Sequence, residues 1–369
     1  KLNAATQVSN VAGYNDHNAP AAPPDNRTPN DGGGMGEPHF TSFDGTYYDF
    51  QGVGEFVLAK STVAGDTFEV QIRTSPYFGS STVTAMSEVA VKIGNQRVTF
   101  DQGRADLVWV DGAPVTLVNN TFALTAGHVD LVSPGRYVVV DNAGRSVHVL
   151  AWSGAYFDVK VSLGADAAPS TVQGLLGDND GLGANDFALK DGTVLQMPLT
   201  AAQLYGAFAD AWRVSQATSL LDYGAGQTTN TFTNKAFPQN VITLADLPQD
   251  AVARATILAL QAGVTDPGLQ HQAAFDFLAT GNLDLITLAA NQQQLGLQTT
   301  TVAVPSGPSG VALAGISAVA PEVVEAQGSS TGVSFEIYRT GDTGSTLTVT
   351  YAVVAPGTGY FNAADFGGT

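Results

Sequence analysis

From Phe40 to about Leu195 the chain alternates short apolar runs with turn signals: Phe56–Leu58, Thr67–Ile72, Val89–Ile93, Arg97–Phe100, Tyr137–Val140, Val147–Trp152 and Phe157–Val161. Runs at this spacing are what an antiparallel β-sandwich or barrel requires. Asp111-Gly112 and Asn142-Ala143-Gly144 read as hairpin turns between them. Near Thr243 the period lengthens. Asp246-Leu247-Pro248-Gln249-Asp250 reads as a helix entry, with proline early and acids in the first turn, and Val252, Ile257, Leu260 and Val264 supply the expected buried stripe. Asp266-Pro267 opens a second helix through Leu278, closed by Gly281, and Asn282 begins a third that ends near Leu295, with Gln292–Gln294 expected as a solvated face.

The flanks divide the rest. Residues 1–35 read as an arm and linker, with Pro20, Pro23, Pro24 and Pro29 leading into Asp31-Gly32-Gly33-Gly34. The expected order is then a β-domain over 36–215, a helical subdomain with its lead-in over 216–298, a linker over 299–310, and a further β-segment over 311–369. The fold class is mainly β. A charge-free stretch from Leu285 to Pro321 is broken by Gln292, Gln293, Gln294, Pro305 and Pro308, so its apolar parts fall short of the roughly 20 residues a membrane-spanning helix needs. Lys1 is followed by polar and small residues without an apolar core of a leader, so the numbering is expected to begin at a processed end.

Composition narrows the partners. Fifteen basic against 33 acidic residues give a net charge of −18, which disfavours nucleic acid and anionic membranes. Charged residues are only 13% of the chain, and 41 glycines among abundant Thr, Val and Ala favour strands and turns. There is no cysteine, so an exported chain of this kind would be held by core burial and metal, as expected of a bacterial product.

The densest chemistry lies at Gly174-Leu175-Leu176-Gly177-Asp178-Asn179-Asp180-Gly181-Leu182-Gly183-Ala184-Asn185-Asp186-Phe187, which holds three carboxylates and two carboxamides and no Lys or Arg. Two unit charges about 4 Å apart repel by roughly 1 kcal/mol in water and more near a protein surface, so these acids resist compaction unless a cation joins them. An oxygen-seeking ion such as calcium suits the donor set. Asp, Asn and Gly also favour turns without any ion, and that reading stays open. The register lacks the third early ligand and distal glutamate of an EF-hand. Catalytic readings find little support: His17, His39, His128, His148 and His271 are scattered without metal-ligand spacing, and no cysteine nucleophile exists. His39 is expected to hold the turn after Pro38 by a side-chain hydrogen bond. Trp109, Tyr137, Trp152 and Trp212 leave a glycan-binding module as the alternative.

Three motifs together carry a family resemblance: Gly36-Glu37-Pro38-His39-Phe40-Thr41-Ser42-Phe43-Asp44-Gly45-Thr46-Tyr47-Tyr48-Asp49-Phe50, the acidic loop, and Phe208-Ala209-Asp210-Ala211-Trp212-Arg213-Val214. In that order the sequence resembles the von Willebrand factor type D domain. The resemblance implies an extracellular β-rich module that binds calcium and serves adhesion and polymer assembly rather than turnover, with Asp44, Asp178, Asp180, Asn185 and Asp186 as the ligands. Gly54, Gln173 and Leu176 stand where animal members usually carry cysteines, so assembly through disulfides is excluded here. Farther on, Glu322-Val323-Val324-Glu325, Gly332–Asp342, Leu347–Val353 and Ala363–Phe366 resemble the first half of a Calx-beta domain, which implies a second calcium site with Glu325 and Asp365 among its ligands. Half of an immunoglobulin-like sandwich leaves edges unpaired. Either the sequence is a fragment of a longer repeat protein, or strands of a neighbouring chain complete it in a homo-oligomer or filament, with a cell-surface or glycan partner in view.

Some members of the type D family cleave themselves at an Asp-Pro bond, where this chain has Glu37-Pro38. Glutamate is one methylene longer and forms a less favourable ring on attack, so the bond is expected to stay intact. Amino-terminal sequencing of aged or mildly acid-treated protein checks this, and a new terminus at Pro38 would refute it.

Overall fold

A computed structural model describes residues 30–36, 38–152, 156–281, 283–303, 313–318 and 335–340. Glu37, Glu325 and Asp365 lie outside them, as do the segments 322–325, 347–353 and 363–366. Residues 1–309 and 310–369 separate into two units.

In the first unit β1 (Asp31–Met35), β2 (His39–Thr41) and β3 (Thr46–Asp49) precede β4 (Gly54–Ser61), β5 (Glu69–Pro76), β6 (Thr84–Ile93), β7 (Gln96–Asp101), β8 (Val108–Val110) and β9 (Ala113–Pro114). Then follow β10 (Thr121–Leu124), β11 (Gly127–Ser133), β12 (Arg136–Asp141), β13 (Ser146–Trp152), β14 (Tyr156–Ser162), β15 (Val172–Gln173) and, after the helices, β16 (Thr301–Ala303). Among the described residues one sheet runs β10-β11-β12-β13-β14-β1-β2-β3-β16 and another β15-β4-β5-β6-β7-β8-β9. Every described pairing is antiparallel except β16 with β3. The two sheets share one core, in which Val70, Ile72, Val89 and Phe100 of the second meet Val129, Val139, Val149 and Phe157 of the first. The fold is mainly β, as the period-2 runs predict, and both hairpin turns fall where expected, with Gly112 and Gly144 at positive φ.

Five findings depart from the sequence reading, two in strands, two in helices and one at His39. Residues 31–35, taken as the end of a linker, form β1 in the middle of the larger sheet between β14 and β2. Glycine is required there by close approach: a Cβ on Gly33 would lie 2.3 Å from the Val159 carbonyl oxygen, and one on Gly34 would lie 2.2 Å from the Phe40 ring. Strand propensity undervalues glycine, and only the neighbours reveal why it is needed. Likewise, Thr301–Ala303 of the expected linker is β16, registered on Thr46–Tyr48.

The helices bring the other two. A π-helical turn, Gln203–Phe208, runs into α1 (Ala209–Trp212), and α2 (Gln249–Gln261), α3 (Pro267–Thr280) and α4 (Asp284–Gln292) follow. The expected caps hold at α3, where the Asp266 carboxylate accepts from Gly268 N and Leu269 N and Gly281 closes the helix at φ 72°. In α2, however, the buried positions are Ala251, Ala255 and Ala259, while Val252, Ile257 and Leu260 are only half-buried. Small residues at i, i+4 and i+8 let the helix pack close to its neighbours, and hydrophobicity alone does not show that preference. Gln292, expected to be solvated, is fully buried: its amide donates to Asp158 Oδ2 at 3.1 Å and its carbonyl accepts from Gln272 Nε2 at 2.8 Å.

These helices cover the outer face of β1–β3, which is why all four residues of β3 are buried instead of alternating. His39 joins the layers. Its Nδ1 lies 2.7 Å from Asp49 Oδ1 and its Nε2 lies 3.2 Å from Asp276 Oδ1 on α3. His271, also on α3, reaches Asp49 Oδ2 at 3.3 Å. Thus His39 ties strand to helix through carboxylates, which corrects the expectation that it braces the turn after Pro38. In the lead-in segment, Asp222 accepts from Arg97 and Thr99, and Arg73 stacks 3.6 Å over Phe232 while binding Glu55.

In the second unit the described residues form an antiparallel pair, β17 (Leu313–Ala318) with β18 (Phe335–Thr340). The apolar run near 311–320 therefore contains a strand. Among the described residues no helix is long and apolar enough to cross a membrane.

Burial alone would lower the His39 pKa, but the Asp276 and Asp49 carboxylates push it up to about 10. Because the folded chain holds this proton more tightly than the unfolded one, the stabilisation is complete below about pH 6.5 and is lost as pH rises toward about 10. Denaturant titrations should therefore show stability falling over that interval by at most about 1.4 kcal/mol per pH unit. The fall should be shallower in a His39→Gln chain, and identical slopes in both chains would overturn the assignment.

Candidate metal centre

The acidic loop enters from β15 and is pinned by its backbone. Leu175 N and Leu176 N donate to Val57 O at 3.0 Å and Leu58 O at 3.1 Å, and the Leu176 carbonyl accepts from Phe43 N at 3.0 Å. Leu175, Leu176 and Phe187 are fully buried, so apolar anchors bracket the polar stretch. The chain turns inside it through Gly177, Asn179 and Gly181, all at positive φ. Gly177 has a second reason: a Cβ there would fall 2.2 Å from Asp186 Oδ1.

This pinning sets the loop against the turn 42–46. Carboxylate oxygens of Asp44, Asp178 and Asp180 lie within 4.8 Å of one another. Asp44 Oδ1 accepts from Gly181 N at 2.7 Å and its Oδ2 accepts from Asp180 N at 3.3 Å. Asp180 accepts from Leu182 N at 2.8 Å and from Asn185 Nδ2 at 2.8 Å, which leaves the Asn185 carbonyl oxygen free of any donor. Asp186, 2% exposed, accepts from the Ser42 hydroxyl at 2.7 Å through Oδ2. Three buried oxygens, Asp178 Oδ1, Asn185 Oδ1 and Asp186 Oδ1, have no hydrogen-bond partner among the described residues. Buried acceptors are rarely left so, and three in one loop are a shared deficit of positive charge.

The electrostatics agree. Burial pushes the Asp186 carboxyl up to about 8, against the Ser42 hydrogen bond that favours its charged form, and Asp44 adds repulsion. The Asp178 pKa is raised by burial and then by Asp180 and Asp44. Every donor is a carboxylate or carboxamide oxygen, without histidine or thiolate, so the residues present fit a hard cation such as calcium better than zinc or copper.

All five residues expected from sequence thus meet at one place, Asp44 from the β2–β3 turn and the other four from the loop. Sequence reasoning missed the supporting Ser42 and Thr46. The Ser42 hydroxyl also accepts from Thr46 N at 2.8 Å, and the Thr46 hydroxyl donates to Gly183 O at 3.2 Å. Their spacing two residues either side of Asp44 was the available signal. The four aromatics of the glycan alternative occupy separate settings: Trp212 is buried and donates to Ala188 O, Trp152 donates to Asp158, Trp109 lies under Arg104, and Tyr137 packs on Phe100.

Sheets, loop and acidic cluster together define a β-rich module with an acidic loop packed against the β2–β3 turn. Residues 33–193, which include all five, match the sequence profile of the von Willebrand factor type D domain, a match that begins inside β1. Sushi domain-containing protein 2 of Homo sapiens is 29% identical over 281 residues, covering 73% of this chain and 33% of that protein. Zonadhesin of Sus scrofa is 32% identical over 165 residues, and hemocytin of Bombyx mori 28% over 184, covering 43% and 49% of this chain. The matched region spans 6% and 5% of those two relatives, so the chain corresponds to a third or less of each.

Proposed function

We propose that this chain is a calcium-binding structural or adhesive module of an extracellular protein. One observation carries the reading: carboxylates from two distant parts of the chain converge, and three buried oxygens among them lack a donor. Asp44, Asp178, Asp180, Asn185 and Asp186 hold the ion, which supplies the missing positive charge and joins the β2–β3 turn to the loop. The module works mechanically and not by turnover. Relatives whose names denote a mucin and an IgG Fc-binding protein support a setting outside the cell and a role in contact with other macromolecules.

Homotypic assembly belongs to the same reading. The sheet edges β9 and β10 are short and largely exposed, and Val118 and Val132 stand out at 69% and 65% exposure beside β10. Unpaired edge N–H and C=O groups are a template for an added strand, though the shortness of β9 and β10 and Pro114 on β9 limit how far pairing can extend there. Low-dose imaging and native mass measurement of the chain should show oligomers or filaments, and a monomer at all concentrations and calcium levels would remove the assembly claim.

A ligand bound only by the folded state stabilises it by mass action, about 2.7 kcal/mol at a hundred times its dissociation constant. Chelating calcium should therefore lower the melting temperature of the chain by several degrees, as should Asp180→Ala without chelator, and the two effects should not add. Unchanged melting in both cases would end the calcium reading.

A further inference from the structure

We propose that cation occupancy of the Asp44 cluster governs how firmly β16 is held on the larger sheet. This rests on the calcium reading above and extends it to the place where the first unit ends.

Asp44 faces two ways. Its side chain accepts from the amides of Asp180 and Gly181, while its main-chain carbonyl accepts from the Thr300 hydroxyl at 3.1 Å. Its neighbour Gly45 accepts from Thr300 N at 2.7 Å and Thr301 N at 3.2 Å. Gly45 sits at φ 82°, and a Cβ there would lie 2.6 Å from Thr300 Oγ1, so strand and turn are in direct contact. The turn 42–46 therefore serves both the acidic loop and the start of β16.

Its two clients differ in strength. The loop is pinned by buried Leu175 and Leu176. By contrast, β16 has three residues and, among the described residues, lies at the sheet edge and pairs with β3 alone. Short edge elements open locally at low free-energy cost. Upstream, the chain is anchored separately: Leu297 is buried and Thr299 N donates to Asp266 Oδ2 at 2.6 Å at the start of α3. Opening from Thr300 onward thus leaves α3 undisturbed.

Without the ion, Asp44, Asp178 and Asp180 repel one another, and because Phe43 N holds the base of the turn on Leu176 O, the repulsion bears on its tip at Asp44 and Gly45, where β16 is attached. Any shift moves the Asp44 and Gly45 carbonyls away from Thr300 and Thr301. Coupling of this kind is reciprocal, so the Thr300 contact in turn supports ion affinity.

The test combines calcium titration by calorimetry with hydrogen exchange on the same full chain, with and without chelator. Calcium should bind, and chelation should speed exchange of the Thr300 and Thr301 amides about ten-fold or more while β12 and β13 stay unchanged. Thr300→Val should weaken calcium binding about five-fold, and Thr300→Ser should restore it. Binding with unchanged exchange at 300–301, or with acceleration spread evenly over β12 and β13, overturns the coupling and leaves the calcium site standing. Absence of binding in millimolar calcium overturns both.

Discussion

Bringing Asp44, Asp178, Asp180 and Asp186 together costs electrostatic free energy, and the fold imposes that cost through contacts in which the carboxylates take no part. The bonds from Leu175 and Leu176 to β4, and from Phe43 to Leu176, fix both halves of the cluster before any charge is considered. At separations near 4 Å each like-charge pair costs about 1 kcal/mol in water and about 4 kcal/mol in the partly shielded setting of a protein surface. Backbone donors from Asp180 and Gly181 offset part of this at Asp44, but Asp178 Oδ1 and Asp186 Oδ1 receive nothing. The nearby side-chain donors are already engaged elsewhere, Ser42 on Asp186 Oδ2, Thr46 on Gly183 O and Asn185 Nδ2 on Asp180, so a cation would supply what these hydrogen bonds do not.

The helical layer meets a different constraint. Strands β1–β3 present Tyr47, Asp49 and His39 outward, and α3 buries them with His271, Phe275 and Asp276. Burying charge in this way is tolerable because Asp49 and Asp276 both face His39, and each His39 ring nitrogen meets one of their carboxylate oxygens. Here neutralisation is complete within the chain, which is the contrast with the acidic loop. The same helices carry Gln272 and Gln292 to Asp158, next to the β1–β2 turn, so the glycine strand is enclosed on its outer side as well.

Local signals were legible wherever structure is decided locally. The alternating runs became β4 to β7 and β12 to β14, and the Asp266-Pro267 entry and Gly281 stop became the ends of α3. That Asp44 and the four loop residues belong together was legible too, through resemblance to a known family, since their chemistry is concentrated in two short motifs. What escaped was everything set by a distant neighbour. Glycines 32–34 look like linker until Val159 and Phe40 are placed against them, and the alanines of α2 look unremarkable until a helix lies close. Gln292 reads as solvent-facing because nothing within its own segment shows the buried Asp158 that it serves.

The sequence by itself determined the alternating strands β4 to β7 and β12 to β14, the capped ends of α3, the absence of disulfides, and the acidic character of one loop, because these follow from properties of adjacent residues. Tertiary structure alone decided that Thr300 touches the turn carrying Asp44, that Ser42 and Thr46 brace it, and that a run of glycines becomes a central strand. Such outcomes depend on excluded volume and charge between segments far apart in the chain, and those distances exist only once the two sheets have closed on their shared core.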